Sequence, residues 1–254
     1  MVGLVLPIRM SEKTFWYNSM NYFFWQVTND IEMPQEILNP MKLHGFFLQT
    51  GIYHKFSDKK GIQVLFAPRL MSDLNNVSGS HFQLGGTVLY EVRYGDRLTL
   101  SYGIMYNHEL FGSYMVPLLN MDWQLSSRWR IHGLLPIYSK VSYQVSPSFS
   151  LGLNHFGLGS TYKLGDEIYN GDYIERRSIE VGLFGRLKIV ENIYLEGRVG
   201  YSLDRRYEQY DANDKIDFAI PLVNFGDNRI QKNVSFYDGG YANLRLVYSV
   251  KPPN

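Results

Sequence analysis

The sequence predicts an all-β fold, an antiparallel up-and-down transmembrane β-barrel of about 12–14 strands. Three observations predict it. The first is alternation: in "TVLYEVRYGDRLTLSYGIMY", residues 87 to 106, Val88, Tyr90, Val92 and Tyr94 alternate with Thr87, Glu91 and Arg93. Past "GDR", Leu98, Leu100, Tyr102 and Ile104 alternate with Thr99, Ser101 and Gly103, which makes a hairpin with one greasy and one wet face. The second is length: most periodic segments run for about 9 to 16 residues, where a soluble strand averages 5 or 6 and a tilted bilayer-crossing strand needs 9 to 11. The third is that short and long connections alternate along the chain, as they do at the two rims of an outer-membrane barrel.

Composition agrees and excludes other classes. Among 254 residues, 20 are Tyr and 23 Gly, which suits a large sheet better than helices. A net charge of +1 gives no global field for nucleic acid, and the absence of cysteine excludes disulfides and Cys-based metal sites. No run of about 18 apolar residues offers a transmembrane helix. No linker or low-complexity tract divides the chain, so residues 1–254 read as one domain. "MVGLVLPIRM" lacks the basic and small-residue marks of a signal peptide.

In order, the predicted strands are 2–10, 14–27, 41–56, 61–72, 81–94, 98–109, 115–125, 129–136, 139–146, 149–163, 176–189, 193–206 and 234–250. Tight turns fall at "SEK", "SDKK", "GDR", "SSR", "SPS" and "VEN"; longer connections span 28–40, 73–80, 110–114, 164–175 and 207–233. "PIYS" is a tight turn on the long-loop side. With short turns periplasmic, the first strand starts at the outer rim and the last ends at the inner one. Bacterial barrels have even strand numbers and both termini in the periplasm, so at least one N-terminal strand is expected to be missing from this chain.

The segment "SIEVGLFGRLKIVENIYLEGRVGYSLD" sets the faces. Ile179, Val181, Leu183, Leu187 and Ile189 share a face with Ile193, Leu195, Val199, Tyr201 and Leu203 if the loop has an odd number of residues. A three-residue loop, Val190 to Asn192 with Asn192 left-handed, fits, and sets Arg186 opposite Glu196. The apolar face continues through Phe46, Leu48 and Ile52, through Val64 and Phe66, and through Leu244, Leu246, Tyr248 and Val250. The polar face is the expected lumen lining: Glu91, Arg93, Asp122, Gln124, Arg130, His132, Glu180, Arg186, Lys188, Glu196, Arg198 and Arg245. Trp16, Met20, Tyr22 and Phe184 are expected to narrow that lumen. Tyr94, Trp123, Trp129, Tyr138, Phe149, Tyr194 and Tyr248, beside the turns, read as an interfacial aromatic girdle.

"PLLNMDWQLSSRWRIHGLLPIYSKVSYQVSPSFSLGLN" resembles a family of outer-membrane β-barrel proteins of Bacteroidota without an assigned function. "GIYHKFSDKKGIQVLFAPRLMSDL" and "GLFGRLKIVENIYLEGRVGYSLDRRYEQYD" are similar to hairpins of the same family, so the likeness covers about residues 40 to 212. It implies the outer membrane of a Gram-negative bacterium, a signal peptide and further N-terminal sequence, and no catalytic residues. "LVYSVKPPN" departs from the terminal aromatic that many such barrels carry.

Two functional classes follow. The first is non-enzymatic: a porin-like narrow pore, or a structural or accessory component of an outer-membrane assembly. Arg186, Glu196, Arg198 and Arg245, with a Gln124–Arg130 pair, serve equally as a selectivity lining or as an electrostatic plug. The second is a hydrolase: the "SSR" register sets Asp122 opposite His132, the base half of a triad, with Ser101, Ser142 and Ser150 on the same face. A plain lumen hydrogen bond outweighs that reading. Histidines 44, 54, 81, 108, 132 and 155 lack ligand spacing, so neither metal nor cofactor is expected. The partners expected are outer-membrane lipid, which Arg176, Arg177, Arg205 and Arg206 meet at the long-loop rim, and proteins reached through loops 164–175 and 207–233.

Overall fold

The computed structural model describes residues 1–249, apart from the side chain of Leu158. The chain is all-β. Its strands are β1 (Val2–Arg9), β2 (Thr14–Val27), β3 (Met41–Ser57), β4 (Lys60–Phe66), β5 (Arg69–Ser72), β6 (Phe82–Gln83), β7 (Gly85–Arg93), β8 (Leu98–Glu109) and β9 (Gly112–Gln124). Then come β10 (Trp129–Leu135), β11 (Tyr138–Ser146), β12 (Phe149–Lys163), β13 (Tyr173–Val190), β14 (Ile193–Tyr210), β15 (Phe218–Ile220), β16 (Val223–Phe225) and β17 (Gly239–Tyr248). β4 and β5 are one strand broken beside Pro68, which has no N–H for a ladder; both halves pair with β3. They pair on the other side with β7 and β6, two halves of a second strand broken at Leu84. Counted so, the thirteen predicted strands are present, each antiparallel to its neighbour in sequence.

The differences from expectation are local. β13 and β14 each run 18 residues, well past the predicted ends. Segment 110–114 is no long loop: β8 and β9 are joined by Leu110 and Phe111 alone, with Gly112 at φ 134° allowing the reversal. The hairpin at Glu191–Asn192 pairs Val190 with Ile193, and a bulge between Lys188 and Val190 supplies the odd residue. Arg186 therefore faces Glu196 as predicted, without a left-handed Asn192. β17 is shorter than 234–250, and Val250 lies outside the described residues. The small β15–β16 hairpin inside loop 207–233 is not marked by alternation long enough to read.

The sheet curls until distant strands meet. At the long-loop rim the end of β12 reaches β5, where Lys163 pairs in parallel with Ser72, and this closes a ring of backbone pairing. Toward the long-loop ends of β12 to β14 the β13–β14 ladder slips between Arg177 and Ile179, where Asp204 takes φ 49°. A bulge bends its strand and deepens its twist. Those ends rest on the opposite wall: the Trp25 indole N–H donates to Tyr162 at 3.0 Å, and Tyr162, Leu164 and Ile174 pack with Met41, Leu43 and Met71.

Face assignment follows from register, since directly paired residues share a face. The apolar set is exposed on the convex side: Leu183, Val199, Leu244 and Leu246 are all more than half exposed. The concave side is filled. Ser19, Thr87, Leu89, Ser101, Val116 and Leu118 are buried there. Trp16, Met20 and Tyr22 correct the expectation of inward bulk. They pair with Ile52, Leu48 and Phe46, and so lie on the outward face, where Trp16 and Met20 are nearly half exposed. Phe184 does point inward and is buried.

Candidate functional site

By register the predicted lining residues share the concave side, and all but Glu180 and Lys188 gather in three places. Near the short-turn rim, Tyr53 donates to Glu91 at 2.7 Å, and Arg93 lies 3.6 Å from the same carboxylate. Next along the rim, Arg130 grips Asp122 through Nε and Nη2 at 2.8 and 2.7 Å, in a two-toothed contact between half-exposed groups. That pair corrects two expectations. Gln124 lies opposite Arg130 in register, but its amide donates to the Ser126 and Trp129 carbonyls instead. Asp122 faces His132 in register, yet its oxygens are taken by the guanidinium, and His132 Nδ1 is buried without a partner. Ser142 donates to the Arg130 carbonyl, and Ser101 is buried beside Asn120. No nucleophile–base–acid chain forms from these groups.

The third place is centred on Glu196, whose side chain is wholly buried. Its carboxylate accepts from Lys140 Nζ at 2.7 and 2.8 Å, from Arg186 Nε at 2.7 Å, from Arg198 Nε at 2.8 Å and from Arg245 Nη2 at 2.6 Å. Strands β11, β13, β14 and β17 each bring one cation. Alternation places Arg186, Glu196 and Arg198 on one face, and the β14–β17 register sets Arg245 directly opposite Glu196. Lys140, also 4.5 Å from the centre of the Phe184 ring, was absent from the predicted lining. It pairs with His132 across β10–β11, so the sequence register that placed His132 could have found it.

At the opposite rim the long loops are bound together. Arg229 is buried, bonds Glu175 at 2.7 Å and Asp227 at 2.9 Å, and stands 4.2 Å over the Tyr210 ring. Its hydrogen bonds, with help from Asn224, hold the Asp227 carboxyl down at about 2. Lys232 bonds Asp172 at 2.8 Å, tying loop 207–233 to loop 164–175. Gln209 accepts from the Leu38 N–H and donates to the Glu36 carbonyl, tying down 28–40. Of the basic rim residues, Arg176 is buried with its guanidinium 3.7 Å over Trp25, while Arg177 and Arg206 both bond Asp204. The Arg206 side chain stays 43% exposed.

Residues 5–219 match a family model described as a domain of unknown function, DUF6268. The chain belongs to that family. No curated protein and no solved structure matches it. The family thus lends this chain no ligand or reaction, and the site has to be read from its own geometry. Of the predicted girdle, Tyr94, Trp123, Trp129, Tyr138 and Tyr248 are exposed, and Trp129 packs 4.9 Å from Tyr143. By alternation Tyr138 and Tyr194 share the Glu196 face, two residues from Lys140 and Glu196; Arg186 lies 5.9 Å over the Tyr194 ring. Among the described residues no three metal-ligating side chains converge.

Proposed function

We propose that this chain is a transmembrane β-barrel of the outer membrane of a Gram-negative bacterium, with a sealed interior, acting as a structural or accessory component rather than as an open pore or an enzyme. One observation carries the reading: the outward face is predominantly apolar while the concave side is filled and its long-loop end covered by the ends of β12 to β14. Soluble monomers rarely expose apolar patches beyond a few hundred Å², and a lipid-facing wall needs one all the way round. The resemblance to Bacteroidota barrels supports the same compartment.

Closure belongs to this proposal. Among the described residues β1 pairs only with β2 and β17 only with β14, which leaves one backbone edge of each free. Lipid satisfies no backbone hydrogen bond, so in a bilayer those edges must be paired. β1 and β17 both run from the long-loop rim to the short-turn rim, so a direct pairing of their free edges would be parallel. The partner surface is the roofed rim, where Leu222, Phe225 and Ile230 stand exposed on loop 207–233.

The hydrolase is the weaker reading, since Arg130 occupies the carboxylate that would orient His132. Conductance in a planar bilayer tests the proposal, on protein whose heat-dependent gel mobility verifies a barrel. Verified barrels are expected to stay silent. Discrete steps scaling with salt would establish an open pore instead, and recovery of the native protein in a soluble fraction would overturn the membrane reading.

A further inference from the structure

We infer that the basic cluster around Glu196 is a binding site for a phosphate-type oxyanion. Four cations converge on one buried carboxylate, so three positive charges are left over. Glu180, two turns of alternation from Phe184 along β13, offsets part of this near Arg198. One carboxylate is satisfied by one or two cations. A third and a fourth brought to the same two oxygens add mutual repulsion and desolvation, which a second anion relieves. The contrast within the molecule is plain, since Asp122 and Arg130 form a one-to-one pair at the solvent-exposed rim.

The donors for a second anion are in place. Arg198 and Arg245 each commit one nitrogen to Glu196, and Arg245 Nε is buried with no partner. Two guanidinium forks around one point match the planar, two-toothed geometry by which arginine holds phosphate. The site is reachable: the Arg186 and Arg245 side chains remain 33% and 37% exposed, against 0% for Glu196. Glu196 is the fourth residue after the Glu191–Asn192 turn, about 13 Å from the short-turn rim at the strand rise per residue. The phosphate of a lipid headgroup and free phosphate share the same recognition chemistry, a guanidinium fork on oxyanion oxygens.

The test uses the folded barrel in a non-ionic detergent, with inorganic phosphate or phosphatidylglycerol added and sodium chloride at matched ionic strength as reference. The transition to the heat-denatured gel form is followed, together with the ³¹P line width of the phosphate. Inorganic phosphate is expected to raise the transition temperature above the chloride reference and to broaden its own resonance. Phosphatidylglycerol acting where inorganic phosphate does not would assign the site to a lipid headgroup, with the oxyanion recognition intact. Arg245→Gln is expected to weaken the apparent affinity about tenfold, the loss of one charge-assisted contact. Arg93→Gln, at the rim and outside the cluster, is expected to leave it unchanged. If neither probe exceeds chloride, or if Arg245→Gln binds as the wild type does, the site does not exist.

Discussion

Replacing Glu109 with Gln tests the roof and the burial argument together. Glu109 lies at the outer end of β8 with a side chain 1% exposed, and it accepts from Arg69 Nη2 at 2.6 Å. The same carboxylate takes the Thr161 N–H at 3.2 Å and the Thr161 hydroxyl at 2.7 Å, which fastens β12 to the far wall. Glutamine has the same shape and keeps one oxygen for Thr161, so the change removes charge and little else. Arg69, 6% exposed, is then a buried cation without a counter-ion. Stranding one partner of a buried pair costs about 3–5 kcal/mol. Arg69→Met in the Glu109→Gln background removes the stranded charge and should restore much of the loss, since apolar replacement of a buried pair is often close to neutral. Urea unfolding in detergent micelles, followed by tryptophan fluorescence, gives both differences from the midpoints at constant slope. A Glu109→Gln loss under about 0.5 kcal/mol, or a double variant less stable than the single one, would refute the reasoning.

Further predictions rest on other contacts. Arg176→Lys keeps the charge but gives up the planar stack on Trp25, and should cost about 1–2 kcal/mol in the same unfolding assay. Asp122→Asn breaks an ion pair that is half exposed on both sides, and should change stability by less than about 1 kcal/mol. His132→Ala should leave folding and every lipid- or peptide-cleaving readout as in the wild type; loss of such an activity with folding intact would establish the hydrolase. The Asp227 carboxyl is held down to about 2, so its contribution to the outer loop is fully present above the ordinary carboxylate range and lost as pH falls through about 2. Protection of the Phe218 and Phe225 amides against hydrogen exchange should therefore drop between pH 4 and 2, and Asp227→Asn should lower it already at pH 4.

Strand identity was legible because period-two alternation is dictated by the backbone alone, and it survives in all thirteen long strands. Register was legible where a short turn allowed counting: Arg186 opposite Glu196 and Asp122 opposite His132 follow from turn length and face parity. Bonding was not. Arg130 reaches diagonally to Asp122 rather than straight across to Gln124, because a long flexible cation chooses among several acceptors within reach. Lys140 joins Glu196 from three strands away, which requires the curvature of the sheet, and no local pattern encodes that. Trp16 and Met20 were assigned to the wrong face for want of a register anchor, since the 28–40 connection to β3 is too long to count across. The roof was invisible for a related reason: it goes with a bulge at Asp204–Arg205 opposite Ser178, with Asp204 left-handed, and neither residue type demands that conformation.

The strand order has a consequence for how the molecule assembles. Nearly every ladder joins neighbours in sequence, so the wall can grow hairpin by hairpin with short loop closures. The roof cannot: Trp25 reaches Tyr162 across 137 residues, and Leu38 reaches Gln209 across 171. Contacts of such span carry the largest closure entropy and form after the wall that brings their ends together. Substitutions in the roof should therefore quicken unfolding while leaving the folding rate almost untouched. Seen in time rather than in space, the ends of β12 to β14 are a latch that closes only on a finished wall and then sets how long it lasts.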